Sequence, residues 1–356
     1  SYNFEDRKLV EIVKATYFNP KIVVIDETTT ALSQEGREEL YKHMERIRKS
    51  GNTVIFISHD LPEIIEKSDT ITILRDGVYI DTVKSKDVNE NDLKKLMVGR
   101  EVTGDYYRSD YGEKVSDEVV LSVKDVTVPG LIENVSFDLH KGEILGFGGL
   151  SESGMHEIGK AIFGASYDRE GTVELADGTQ INDIPTAIKH SIAYTSKDRD
   201  NESVVLNQSI GDNICLPSLD ELSGPAHLIS DKKKKDFANK YAKQMSVKMN
   251  DVNQFVSNLS GGNKQKVVLA RWIGKDSDIV VLDSPTRGID IKVKQDIYQL
   301  MNQMRKNGKS IIMISEELME LIGMCDRIMI MKDGKISGEL ERDQNLDENG
   351  LITMMV

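Results

Sequence analysis

Residues 279–291 read IVVLDSPTRGIDI, and residues 22–34 read IVVIDETTTALSQ. In both stretches an unbroken apolar run ends in an aspartate, the pattern of a short strand buried on both faces. The likeness continues at one spacing. Asp26 and Asp283 lie 257 positions apart, as do Gly77 and Gly334, and the spacing holds across 22–80 and 279–337. His59 therefore falls opposite Glu316, and Glu27 opposite Ser284. A single spacing over so long a stretch marks a duplicated domain rather than a short solenoid repeat.

Each copy predicts strand, helix, strand, helix, strand. Buried strands are expected at 21–25 and 278–282, and helices at 35–49 and 292–307, ending near Gly51 and Gly308. Second strands are expected at 53–57 and 310–314, and final hairpins turning at Asp76-Gly77 and Asp333-Gly334. Alternating βα units predict a parallel α/β sheet with ligands beyond the strand C-termini. The copies differ upstream. The second has a long lead-in from about Val119, with strand-like segments and then Gly142-Glu143-Ile144-Leu145-Gly146. The first has almost none, since Asn3 already falls opposite Ser260. The polar, turn-rich stretch 98–117 reads as a linker.

Composition sets outer limits. The 356 residues suggest about two domains at roughly 150 residues each. Lys and Arg number 46 against 59 Asp and Glu, a net charge of −13, which disfavours nucleic acid because phosphate contacts need clustered cations. The one basic run, residues 232–235, sits between Asp231 and Asp236 and reads as a solvated helix face. No apolar run approaches the roughly 20 residues of a membrane span. Residues 1–8 lack the basic stretch and apolar core of a signal peptide. Two cysteines, Cys215 and Cys325, are too few for a disulfide framework, so a reduced setting is expected.

The strongest chemical signal is 259–272, LSGGNKQKVVLARW, where a Ser-Gly-Gly turn opens a helix. Small residues there let backbone N–H groups and the helix N-terminus approach an anion such as a γ-phosphate. An ordinary capped helix can begin the same way. What separates the two is the IVVLDSPTRGID run that follows at a fixed distance.

LSGGNKQKVVLARW, VVLDSPTRGID and GMCDRIMIMKDG together resemble the ATP-binding subunits of ATP-binding-cassette (ABC) importers, over nearly the whole chain. Asn263, Lys264, Gln265 and Trp272 point to the ribose/galactose/xylose class, whose ATPase carries two cassettes in one polypeptide. The resemblance implies an α/β fold of P-loop NTPase cassettes, each a parallel-sheet core with a helical subdomain, in tandem duplication. Residues 1–97 would be the C-terminal part of a first cassette and 118–356 a complete second cassette. ATP and Mg²⁺ are the implied cofactors. The implied partners are integral-membrane permease subunits and a periplasmic or extracellular solute-binding protein, and the implied place is the cytoplasmic face of the membrane. Each ATP would lie between the P-loop and Asp-Glu strand of one cassette and the signature of the other. In the second copy that signature is Ser260, Gly261, Gly262 and Asn263. The stretch 205–222 and the helical region after it would meet the permease.

On this resemblance the first copy keeps its catalytic strand. Asp26 would hold Mg²⁺ through its water shell, Glu27 would act as general base, and His59 would reach the γ-phosphate. The second copy is degraded. Its P-loop candidate spans Gly149, Ser153 and Gly154, with Met155 at the lysine position and His156 at the Ser/Thr position of G-x-x-x-x-G-K-[ST]. Glu152 adds a negative charge to the loop, Asp283 remains, Ser284 replaces the base, Glu316 replaces the histidine, and Lys197 stands where an acidic or amide residue is usual. Weak or non-hydrolytic nucleotide binding is expected there. The first copy's signature is degraded too, because Asn3-Phe4-Glu5-Asp6 stands opposite Ser260-Gly261-Gly262-Asn263.

The damaged halves would face each other, and so would the intact ones, predicting one catalytic and one degenerate site. The first copy's own P-loop is not in the chain, so a fragment of a longer protein is expected, inactive by itself, with unpaired strand edges and exposed core. Nucleoside or autoinducer import by the same kind of ATPase, a soluble two-cassette protein outside transport, and a regulatory scaffold are the alternatives.

Overall fold

The computed structural model describes residues 4–18, 20–26, 28–32, 34–58, 60–75, 78–98, 106–110, 114–150, 152–224, 228–289, 291–343 and 346–355. The chain divides into two compact units, one from Ser1–Gly104 with Asp290–Lys292, the other from Asp105–Ile289 with Val293–Val356.

The first unit opens with helix α1 (Phe4–Thr16), followed by β1 (Ile22–Asp26), α2 (Gln34–Lys49), β2 (Thr53–Ile57), α3 (Leu61–Lys67), the hairpin strands β3 (Thr70–Arg75) and β4 (Val78–Lys84), and α4 (Glu90–Val98). β1 and β2 form a two-stranded parallel sheet with Ile22 against Thr53 and Asp26 against Ile57. One face of this sheet is covered, with Val23 and Ile25 packed against Leu32, Leu40 and Met44. The other leaves Ile22 and Val24 59% exposed, and Ile55 and Ile57 are also open.

The second unit begins with β5 (Val119–Val128), β6 (Ile132–His140) and β7 (Ile144–Gly149). Helix α5 (Met155–Ile162) leads to β8 (Glu170–Leu175), α6 (Ile184–Lys189) and β9 (Ile192–Thr195). A helical region follows, α7 (Ile210–Cys215), α8 (Leu219–Leu222), α9 (Asp231–Gln244) and α10 (Gly261–Lys275). The chain then alternates through β10 (Ile279–Asp283), α11 (Ile291–Lys306), β11 (Ser310–Ile314), α12 (Leu318–Met324), β12 (Arg327–Lys332), β13 (Lys335–Glu341) and α13 (Glu348–Met355).

The main sheet runs β13-β12-β7-β11-β10-β9, parallel except for β13, and β6-β5-β8 form a separate antiparallel sheet. β7, β10 and β11 are buried at every residue, which is why their sequences are apolar or glycine runs rather than alternating ones. The β12–β13 hairpin turns at Asp333 and Gly334 with φ of +48° and +78°, the left-handed pair an Asp-Gly turn supplies. The corresponding Asp76-Gly77 lies outside the described residues. Among the described residues no helix is long and apolar enough to cross a membrane.

The repeat is also a repeat of register. β10 and β11 pair in parallel with Ile279 against Ser310 and Asp283 against Ile314, each pair displaced by the same spacing from its partner in β1–β2. Of the stretch 98–117 read as a linker, residues 106–110 instead pack into the second unit. Arg108 is buried, with Nη1 donating to the Met324 carbonyl at 2.8 Å and Nη2 to Asp326 Oδ1 at 2.7 Å. Tyr106 meets the Tyr298 ring edge-on and Tyr107 meets it tilted, at centroid distances of 5.4 and 5.2 Å. A buried guanidinium with paired carboxylates and a three-ring cluster outweigh a polar, turn-rich composition.

One polar node recurs in both units. Glu63 is 6% exposed; its Oε2 accepts from Thr29 at 3.1 Å and Ser58 at 2.7 Å, and its Oε1 from the Tyr41 hydroxyl. At the same spacing Glu320, 1% exposed, accepts from Thr286, from Tyr298 at 2.5 Å and from Ser315 at 2.8 Å. Lys294 adds a cation at 3.5 Å from Glu320 and 2.6 Å from Glu317. Replacing Glu320 by Ala strands three hydroxyls and leaves Lys294 to Glu317 alone, and should lower unfolding free energy by about 3–5 kcal/mol, against about 1 kcal/mol for Tyr298→Phe. Urea midpoints of the two variants check the ordering.

Candidate functional site

The glycine run of β7 turns into α5 through the loop 150–154. Two positions require glycine. A Cβ on Gly149 would lie 2.2 Å from Ser153 Oγ and 2.8 Å from the Met331 carbonyl. Gly154 caps the helix at φ +89°, where a Cβ would meet the Leu131 carbonyl at 2.5 Å. The loop therefore has the close-approach geometry of a phosphate cradle, but its chemistry differs. Met155 is fully buried and belongs to the apolar core with Ile158 and Ile162, the i, i+3, i+7 stripe of α5. Expected at the lysine position of the nucleotide loop, Met155 turns its side chain inward, which leaves only its backbone for such a contact. Ser153 is 4% exposed and its hydroxyl has no hydrogen-bond partner among the described residues.

His156, one residue on, faces the C-terminal end of β10. Its Nδ1 lies 2.7 Å from Asp283 Oδ1, and its Nε2 lies 3.4 Å from Glu316 Oε1 and 3.1 Å from Lys197 Nζ. Lys197 completes the ring with a 2.7 Å bond to Glu316 Oε1. Two carboxylates, an imidazole and an ammonium thus form one network. Burial alone would push the His156 imidazole down, but the bonds to Asp283 and Glu316 prevail and hold it above its ordinary value of 6.5.

The network borders an open pocket of about 610 Å³ whose walls include Lys160, Lys197, Arg199, Gln265, Ser284 and Arg287. A π-helical turn, Arg199–Ser203, follows β9 at its rim. Arg271, 6% exposed on α10, fixes that turn: Nη1 donates to the Ser203 carbonyl at 2.6 Å and Nε to the Asn213 carbonyl at 2.7 Å. With carbonyl and amide partners only, burial pushes its guanidinium down to about 10.

The signature residues open α10. Ser260 is the N-cap, and its hydroxyl accepts from Asn263 Nδ2 at 3.0 Å instead of capping the helix. Ser260 is exposed and Gly261 and Gly262 are half-buried at the first turn of a 15-residue helix, whose first N–H groups have no partner within the helix. Arg199 lies close by, since a Cβ on Gly261 would meet its Nη2 at 3.1 Å. In the first unit α1 starts at Phe4, the position opposite Gly261. Asp26 is exposed at the C-terminal end of β1. Asn3, Glu27 and His59 lie outside the described residues, as do the side chains of Phe4, Glu5 and Asp6. Among the described residues no group of three or more His, Cys, Asp or Glu could hold a metal ion.

A sheet whose central strands end in a glycine loop and in Asp283, beside a Ser-Gly-Gly helix start, defines a P-loop ATPase cassette. The chain belongs to the ABC transporter ATP-binding proteins, as relatives of 38–43% identity over nearly its whole length show, and the ABC transporter family model matches residues 132–287. A ribose import ATP-binding protein of Clostridium tetani is 38% identical over 347 residues, covering 97% of this chain and 68% of that protein. A xylose import ATP-binding protein of Thermoanaerobacter pseudethanolicus is 43% identical over 347 residues, covering 95% of this chain and 68% of its own length. The fold matches a dimeric bacterial ABC transporter cassette with a TM-score of 0.55 at 22% identity, over 63% of this chain and 99% of that one.

Sequence reasoning missed the Glu63 and Glu320 nodes and the closing of the His156 ring. The nodes had a signal: Thr, Tyr, Ser and Glu are identical between copies at 29, 41, 58 and 63 and at 286, 298, 315 and 320. The folded protein holds the His156 proton more tightly than the unfolded chain does. The stability drawn from this contact is therefore full below the ordinary 6.5 and lost as pH rises through the raised folded value. The unfolding free-energy gap between wild type and His156→Gln should be larger at about pH 6 than at about pH 8, read by urea denaturation.

Proposed function

We propose that this chain is the ATP-hydrolysing subunit of an importer for a monosaccharide or related small solute. It would work at the cytoplasmic face of the membrane, on permease subunits fed by an external solute-binding protein. The observation that carries the reading is identity of 38–43% over nearly the whole chain with proteins named for ribose and xylose import, joined to a Ser-Gly-Gly helix start. Residues 1–97 act as the C-terminal part of a first cassette, 98–117 contain the connection, and 118–356 form a second cassette; the shared register of β1–β2 and β10–β11 supports this division.

Hydrolysis falls to the first copy's residues. Asp26, an exposed carboxylate at a strand end, suits a hydrated divalent cation, which keeps several waters and takes few protein oxygens. Mg²⁺ bound there supplies charge neutralisation at the phosphate oxygens. The Glu27 carboxylate accepts the proton of the attacking water, and the His59 imidazole donates to a γ-phosphate oxygen. Ser260 and the N–H groups of Gly261 and Gly262 hold the phosphate from the signature side. The sequence contains no G-x-x-x-x-G-K-[ST] run, so the chain by itself hydrolyses ATP poorly.

In the whole transporter reconstituted with its permease, Glu27→Gln should cut ATP turnover by about 10²–10⁴-fold, the usual worth of a general base, and leave nucleotide binding in place. Uptake of labelled ribose or xylose should fall with it. Turnover within a few-fold of wild type would remove Glu27 from the mechanism.

A further inference from the structure

A P-loop ATPase site takes its divalent cation between the Ser/Thr hydroxyl after the loop lysine and the aspartate at the end of the neighbouring strand. The second unit has both places, position 156 and Asp283, but the residues present do not fit the ion. The Ser/Thr hydroxyl is replaced by an imidazole. Its Nδ1 reaches Asp283 Oδ1 directly, at 2.7 Å, so the gap where an ion would sit is filled by the ring itself. Asp283 Oδ1 also accepts from Ser284 Oγ at 3.2 Å. Oδ2 has no hydrogen-bond partner among the described residues, but it is buried, and the residue as a whole is 1% exposed. Asp283 lines the pocket beside His156, but its oxygens are covered, so little of this carboxylate is presented to a hydrated ion. Mg²⁺ sheds water reluctantly and demands an octahedral shell near 2.0–2.1 Å, so a covered oxygen is not an available ligand.

The charge balance closes the same way. Glu316 occupies the position opposite His59 and is held by Lys197 at 2.7 Å and by His156 at 3.4 Å. The loop lysine position is Met155, fully buried in the core. Asp283 Oδ1 and Glu316 Oε1 each already have a cationic or proton-donating neighbour, and only Asp283 Oδ2 is left without one among the described residues.

We propose that the site between α5 and β10 of the second unit is closed to divalent cations. The His156 imidazole stands in the place of the ion, Lys197 supplies the positive charge beside it, and Mg-bound nucleotide is not taken up there. This rests on the P-loop reading of the second unit, but not on hydrolysis at the first copy's residues, which the test leaves aside.

The test is ¹⁵N-histidine NMR of the full chain titrated with Mn²⁺ and ATP, the His156 signals being assigned with His156→Gln. Mn²⁺ broadens only nuclei close to it. The expected result is that His156 keeps its linewidth while Mn²⁺·ATP is added. Selective loss of the His156 signals, recovered on excess Mg²⁺, would overturn the proposal. A second measurement uses Met155→Lys with His156→Ser, which restores the loop residues. Manganese electron paramagnetic resonance should show Mn²⁺·ATP affinity at least about tenfold above wild type, a gain of roughly 1.4 kcal/mol. Equal affinity in a variant that folds would also overturn it. Failure of Glu27→Gln to slow turnover would strike the functional reading and leave this result untouched.

Discussion

A buried carboxylate that gathers hydroxyls from three chain segments is the interaction on which both units depend. Glu320 joins the loop after β10, through Thr286, to helix α11, through Tyr298, and to the end of β11, through Ser315. Glu63 does the same in the first unit through Thr29, Tyr41 and Ser58. The loops so fixed leave the strand ends that carry Asp26 and Asp283, and they adjoin in sequence the residues at 59 and 316. A carboxylate in this setting is costly to bury and more costly to leave unpaired, so its partners are constrained as a set. Both copies keep the whole set, while Glu27 and Ser284, and His59 and Glu316, diverge. The packing set is thus identical in the two copies where the residues beside it are not.

In the second unit the residues that differ from the first copy's meet in space. His156, Asp283, Glu316 and Lys197 bond to one another, so substitutions that look like separate losses make one ion network. Arg271 ties helix α10 to the turn that follows Lys197, which places the Ser-Gly-Gly helix start and the network on one connected frame.

Much of this was legible in sequence because it is periodic or repeated. The helices expected at 35–49 and 292–307 are α2 and α11, to within one residue at each end, and the two strands likewise, although β10 is buried at every residue and β1 on one face only. The Asp333-Gly334 turn follows from local backbone preference alone. What was not legible depends on distance in sequence and on side-chain direction. His156 and Asp283 are 127 positions apart, and nothing local says that they touch. Met155 fits a template position, yet the template does not say that an apolar side chain there turns with Ile158 and Ile162 into the core. Residues 106–110 look like linker because charge and turn formers dominate, and only the fold brings Asp326 and Tyr298 to them.

The burial of Met155 bears on reversibility. A lysine at that position would have to withdraw from a core that the methionine fills, and a serine at 156 would leave Asp283 buried without its imidazole. Each reversion taken alone crosses a less stable intermediate. Positions 155 and 156 are thus coupled to different surroundings, the apolar core on one side and the buried Asp283 on the other, and neither can change without disturbing its own.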